Sequence, residues 1–302
     1  MKTAALGLGT YRVQPDSLTG AVRLAASDPA TAWVDTAPNY QAGNAQSLIA
    51  HALDEQPVPV STKVGFLTPE TAKAALADGA LSANEAAAGH CLNAAYVHWQ
   101  CARNRVELSR GRLDVVFAHN PERVANKPDE VLREAFTALE TEAAAGALDS
   151  YGVATWDGFD TGRLNVPHLD RLATEAAGTP DHHLRALQLP VSLVTATAFR
   201  QALHGRGPIA HAAQRGWEVY ASAPLFGGEL PNLATRDLAD LVDSELSVTQ
   251  VCLLAVASCP GVTRILLSSS DPAHWAEARA ALEQPPVCVA TLRKVLDVLA
   301  AD

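Results

Sequence analysis

Four side chains of different acid–base character stand at the ends of three successive apolar runs. Ala32, Trp33 and Val34 stop at Asp35 and lead into a loop that carries Tyr40. The run from Val58 ends in Lys63, and the run from Leu113 ends in His119. Polar residues at or just past strand ends are where a parallel β/α fold puts its chemistry. A phenol with a pKa near ~10 is a poor acid at neutral pH unless a neighbouring cation stabilises its phenolate. Lys63 would be that cation. Asp35 would be its counter-ion, since an isolated buried ammonium is costly. His119 would hydrogen-bond the reacting oxygen or the tyrosine and help set geometry. The set is therefore suited to moving a proton. The structural alternative is an internal Lys63–Asp35 salt bridge with Tyr40 as a loop aromatic. One Asp or His at a strand end is more often a cap or a satisfied core group. Four such residue types in three consecutive units favour chemistry.

Apolar runs alternate with helical segments along the whole chain. A helix is predicted over 17–26, capped by Asp16 or Ser17, and another over about 45–53. The rhythm breaks over 66–95, which is alanine-rich and interrupted by Thr68-Pro69, Asp78-Gly79 and Gly89-His90. Thr68 and Ser82 cap short helical pieces there. Long inserts in compact domains are usually functional loops or disordered. This one is too apolar for disorder, so it is expected to cover the catalytic mouth. Further helices are predicted over 96–108, 128–145 with Gly146 as its stop, 161–176, 196–215 as an irregular pair, 247–258 capped by Ser247, 272–282 and 289–300. The remaining strands are 150–154, 184–189, 218–222 and 264–267. Strict alternation argues for a parallel sheet. Eight units with no linker predict a single-domain (β/α)8 TIM-type barrel over residues 1–302, not an open doubly wound sheet. No GxGxxG follows the first strand, because Gly7-Leu8-Gly9-Thr10 lacks the third glycine and the helix start.

The chain has 302 residues, 48% hydrophobic and 19% charged, which describes a folded globular protein. A net charge of −10 with no basic stripe argues against nucleic-acid binding. The N-terminal apolar run is too short for a signal peptide, and no stretch reaches the length of a membrane span. Cys91, Cys101, Cys252, Cys259 and Cys288 form no CxxC pair and no zinc spacing. They fit the reduced thiols of a cytoplasmic protein. The His182-His183 pair lacks clustered carboxylates or cysteines and is expected in a solvated turn; no metal site is predicted. A small molecule is the expected partner.

Asp-Thr-Ala-x-x-Tyr at 35–40, Ser-Thr-Lys at 61–63 and a strand ending in His-Asn-Pro at 119–121 resemble the aldo-keto reductase superfamily. Leu6-Gly7-Leu8-Gly9-Thr10 is similar to that family's first barrel strand, Tyr151-Gly152-Val153 to its fifth, and Ala223-Pro224-Leu225 follows like its seventh. The resemblance covers nearly the whole chain. It implies a catalytic tetrad of Asp35, Tyr40, Lys63 and His119. It also implies NADPH or NADH as cofactor, held by Gly9, Thr10, Gln188, Ser222, Leu225, Gly227, Ser268, Ser269 and His274. Tyr11, Phe66, His90 and Trp156 would wall the substrate pocket.

The cofactor side departs from the family. Where the family has Gly-Val-Ser-Asn after the fifth strand, with Ser and Asn on the nicotinamide amide, this chain has Gly152-Val153-Ala154-Thr155. Ser222 replaces the tyrosine that stacks on the nicotinamide. His274 stands where an Arg or Lys meets the adenosine 2′-phosphate. Two functions are therefore expected. One is NAD(P)H-dependent reduction of a small aldehyde or ketone, with Tyr40 as proton donor and an eroded cofactor site. The alternative is a cofactor-independent enzyme that uses the tetrad for dehydration, isomerisation or cyclisation.

Overall fold

Runs such as Leu113–His119 and Leu184–Pro190 are buried along nearly all of their length. That is the pattern of a parallel strand with helices covering it. The computed structural model describes residues 3–28, 31–54 and 56–299. Its strands are β1 (Ala5–Gly9), β2 (Thr31–Asp35), β3 (Val60–Val64), β4 (Leu113–His119), β5 (Leu148–Ala154), β6 (Leu184–Pro190), β7 (Glu218–Ser222) and β8 (Arg264–Leu267). They pair in parallel in chain order and β8 returns to β1, which closes a barrel. The fold is a single-domain (β/α)8 barrel.

Strand side chains alternate, so every second residue enters the barrel. Trp33, Val115, Phe117, Ala154, Ala186, Tyr220 and Leu266 fill its interior. Gly152 makes room: a Cβ there would come within 2.6 Å of the Phe117 ring. At the strand starts, Arg264 lies 4.3 Å from the Trp33 ring centroid and pairs with Glu218 at 2.8 Å. The other end is left for the polar residues of β2, β3, β4 and β6. Among the described residues, no helix is long and apolar enough to cross a membrane.

The insert folds into two short helices, Pro69–Ala77 and Ala83–Ala88. Thr68 caps the first, and Ser82 caps the second in a reciprocal box with Glu85. Leu67 N–H to Gly89 O at 3.0 Å and Cys91 N–H to Gly65 O at 2.8 Å tie its two ends together. Phe66 and His90 face each other across this neck. The rest packs on the helix Ala94–Glu107, where Trp99 stacks on Tyr96 and donates to Asp78 at 2.9 Å.

Some boundaries differ from expectation. The first helix starts at Pro15, with Gln14 at its N-cap and no side-chain cap bond, so neither Asp16 nor Ser17 caps it. Proline's fixed φ already suits the first helical position. The helix expected over 161–176 runs Val166–Ala177, capped by Asn165. The preceding residues are held in a turn by Gly158 N–H to Thr155 Oγ1 at 2.9 Å. His182 is buried, 3.2 Å from Asp170, and is no solvated turn residue. The last helix is Val289–Val298, and the expected end at 300 lies outside the described residues.

Candidate active site

Asp35 ends β2 and Lys63 lies near the end of the neighbouring β3. Their buried side chains meet at 2.7 Å. Asp35 Oδ1 also accepts from Ser61 Oγ at 2.6 Å and from Gln188 Nε2 at 2.9 Å. Ser61 Oγ in turn accepts from Trp33 Nε1 at 2.9 Å. Lys63 Nζ makes a second bond, to Thr36 O, at 2.8 Å. Burial holds the Lys63 ammonium below its usual range, and the Asp35 carboxylate opposes that shift. Behind β3, Asn104 donates to Lys63 O at 3.0 Å, and Thr62 donates to Gln46 at 2.7 Å. These bonds pin the strand from its outer face.

Tyr40 opens a tight turn over Tyr40–Gly43, in which Gln41 and Ala42 take left-handed φ of 52° and 53°. Gln41 holds the turn by donating to Val13 O at 2.6 Å. The Tyr40 ring sits 5.0 Å from Tyr11 and 6.2 Å from the edge-on His119 ring, centroid to centroid. Lys63 Nζ lies 5.1 Å from the Tyr40 centroid. The ammonium is thus beside the phenol, while its hydrogen bonds go to Asp35 and Thr36. Burial, then the charges of Asp35 and Tyr11, push the Tyr40 phenol well above its usual value. Tyr40 rests protonated.

His119 is buried and held well below its usual value, by burial first, then by Lys63 and His90. It is a neutral imidazole at pH 7. Its Nδ1 is buried without a hydrogen-bond partner. Phe66 stands edge-on to it at 4.7 Å, and His90 Nε2 donates to its carbonyl at 2.7 Å. A proton on His90 Nε2 is what that bond requires. The structure therefore gathers all four sequence-predicted acid–base residues at one end of the barrel.

The family model for the aldo/keto reductase family matches residues 3–286. The chain belongs to the aldo/keto reductase family. No curated protein matches the sequence, but the fold is similar to that of solved structures. An aldo-keto reductase from Klebsiella pneumoniae in complex with NADPH superposes with a TM-score of 0.70 at 21% identity, over 99% of this chain and 94% of that one. The glycerol dehydrogenase of Gluconobacter oxydans gives 0.73 at 17% identity, over 99% and 92%. The holo form of a Bacillus halodurans aldo-keto reductase gives 0.68 at 15%, over 98% and 92%. At such identities the likeness speaks for the fold.

On the cofactor side of this aldo/keto reductase, several predicted groups are already engaged. Thr10 Oγ1 donates to Asp35 O at 2.9 Å. Thr155 Oγ1 is taken by Gly158 N–H. Gln188 spends one N–H on Asp35, which leaves its carbonyl oxygen to accept. Gly9 lies close to β8, with Ser268 Oγ 3.0 Å from where its Cβ would be. Leu225 leads into Phe226–Gly228, where Gly227 and Gly228 have φ of 71° and 93°. Arg12 reaches across from the β1 loop and donates to Gly227 O at 3.1 Å, and a Cβ on Gly227 would collide with it. Ser222 is half-buried at the end of β7 and Ser268 is exposed. Ser269 Oγ bonds His274 Nδ1 at 2.9 Å and accepts from Asp271 N–H at 3.1 Å. His274 Nε2 is 3.9 Å from the Asp271 carboxylate. Gly228 N–H is spent on Leu225 O at 2.9 Å, so a nicotinamide amide and a pyrophosphate fit through Gln188, Arg12 and the Gly227 amide. A 2′-phosphate does not, because among the described residues the basic group bonded to Ser269 is a histidine that already faces a carboxylate.

The four predicted substrate residues separate into two groups. Tyr11 packs on Tyr40, and Phe66 and His90 pack around His119. Trp156 is 60% exposed on the β5 loop, with its N–H fixed to Glu122 Oε1 at 2.9 Å and no ring contact to the other three. Burial pushes the Cys91 thiol up to about 11, so it is a packing residue of the insert. Sequence reasoning missed Ser61, Trp33, Arg12 and Arg123. Alternation carried a signal for two of them: Ser61 is two residues before Lys63, and Trp33 two before Asp35, so each pair shares the inward face.

Proposed function

We propose that the protein is an NAD(P)H-dependent oxidoreductase that reduces a small-molecule aldehyde or ketone, with Tyr40 as proton donor. The observation that carries this reading is the protonated Tyr40 phenol beside Lys63, Asp35 and His119. A nicotinamide held there would supply the hydride for the carbonyl carbon. Tyr40 gives its proton to the carbonyl oxygen, so C=O becomes CH–OH. The Lys63 ammonium then faces a phenolate, and Asp35 keeps that ammonium charged inside the barrel. Ser61, Gln188 and Trp33 fix Asp35, so the cation does not wander. With its proton on Nε2, neutral His119 donates to the substrate oxygen and aims it at Tyr40. Phe66 and His90, from the neck of the 66–95 insert, wall this side of the mouth, and Tyr11 walls the other. The free thiols favour a reducing compartment, hence the cytoplasm. No observation favours the cofactor-independent reading over this one.

The test is calorimetric titration with NADPH and NADH, followed by aldehyde reduction monitored through nucleotide absorbance. Both nucleotides should bind, with NADPH gaining less than about tenfold over NADH, since one charge-assisted contact is worth roughly ten- to a hundredfold. Binding of neither would end the reading.

A further inference from the structure

The chain is acidic, and most of its arginines are engaged by carboxylates or carbonyls. Arg123 is not. Among the described residues its guanidinium has no hydrogen-bond or ion-pair partner; it lies 5.2 Å from the Phe66 ring centroid. Phe66 is the ring that stands 4.7 Å from His119. The cation is therefore within the sum of those two distances of His119, about the length of a benzoate-sized molecule.

Local backbone explains the placement. Asn120, left-handed at φ 48°, ends β4, and its N–H is anchored to Ala154 O at 2.7 Å. The short turn Pro121–Arg123 follows at once. Glu122 in that turn is buried and accepts Trp156 N–H, and among the described residues it forms no ion pair with Arg123. His90 is held below its usual value by burial and, in part, by the Arg123 charge, so it stays neutral too. The result is an exposed guanidinium stacked on an aromatic face, with its N–H edge free. That arrangement takes a carboxylate or phosphate in two parallel hydrogen bonds. Tyr11, 66% exposed, and Trp156 add apolar surface at the same end of the barrel.

We propose that Arg123 recognises an anionic oxygen group on the substrate, so that preferred substrates are carbonyl compounds carrying a carboxylate or phosphate a few bonds from the carbonyl. This rests on the reductase reading for its reaction, but not for its binding step. Two pairs of probes test it: 4-carboxybenzaldehyde against its methyl ester, and glyceraldehyde 3-phosphate against glyceraldehyde. In the wild type, kcat/KM for the charged member of at least one pair should exceed the neutral member by about ten- to a hundredfold, the worth of one charge-assisted contact. The pair that responds tells carboxylate from phosphate. Arg123→Gln should collapse the ratio, and Arg123→Lys should keep part of it. Arg23→Gln, an exposed arginine on the outer helix Pro15–Ser27, should leave it intact. The ratio should also shrink with added salt.

Binding is read separately, so that a failed reductase assay does not mask the result. Quenching of tryptophan fluorescence gives the affinity of 4-(hydroxymethyl)benzoate and of its methyl ester, and of glycerol 3-phosphate and glycerol. Tighter binding of a charged member that vanishes in Arg123→Gln supports the proposal even if no nucleotide is ever consumed. Equal binding within both pairs, or a preference that survives Arg123→Gln, overturns it.

Discussion

The two sides of the barrel mouth are built on opposite plans. On the β2–β3 side, each Asp35 carboxylate oxygen has a named donor and the Lys63 ammonium is bonded twice. Tryptophan, serine, glutamine and a backbone carbonyl all serve one ion pair. On the β8 side, Ser268 is exposed, and Ser269 and His274 bond mainly to each other. The first arrangement is interdependent, since removing one partner strands another in low dielectric. The second is loosely coupled and solvated, so a change there alters ligand preference with little effect on folding. On the proposed reading, proton chemistry needs the fixed geometry of the first side, and nucleotide preference would be set by charge at the rim of the second.

Breaking the first side should give the largest effects. Tyr40→Phe removes the proton and should lower turnover by ~10²–10⁴. The hydroxyl has no hydrogen-bond partner among the described residues, so thermal stability should barely change. Wild-type turnover would remove Tyr40 from the mechanism. Lys63→Met leaves the Asp35 carboxylate buried without its cation and should cost about 3–5 kcal/mol in urea unfolding. A loss under about 1 kcal/mol, the scale of an exposed pair, would show that the cluster is not interdependent.

Sharpening the second side should cost no stability. His274→Arg adds a cation beside Ser268 and Ser269 and should raise NADPH affinity by roughly ten- to a hundredfold, with NADH unmoved. Calorimetry decides it, and equal gains for both nucleotides would place the 2′-phosphate elsewhere.

The smallest effect is a pH slope. His119 and His90 both sit below the ordinary value of 6.5 in the folded protein. Below pH 6.5 the unfolded chain therefore binds protons that the folded chain refuses. Their contribution to stability is fully present above pH 6.5 and is lost as pH falls toward the folded pKa values. The loss should reach at most ~1.4 kcal/mol per pH unit for each histidine. Urea midpoints from pH 8 to about 5 measure it. His90→Gln should leave a shallower slope, and an unchanged slope would mean that His90 titrates normally.

The barrel and its polar strand ends were legible in the residues. Short apolar runs alternating with amphipathic segments have few solutions other than a parallel sheet wrapped by helices. A polar residue at the end of such a run is carried to the mouth by strand geometry alone. Asp35, Lys63 and His119 needed no tertiary knowledge, and neither did the caps at Thr68, Ser82 and Ser247, which act within one turn. His182 was misread because burial between Asp170 and Trp217 leaves no mark in a Gly-Thr-Pro-Asp context. What the tertiary structure alone decided is pairing across the circle. Gln188 meets Asp35, Arg12 reaches Gly227, and Arg123 lies on Phe66. Strand tilt and closure determine which strand ends face one another. No local period in the chain encodes that.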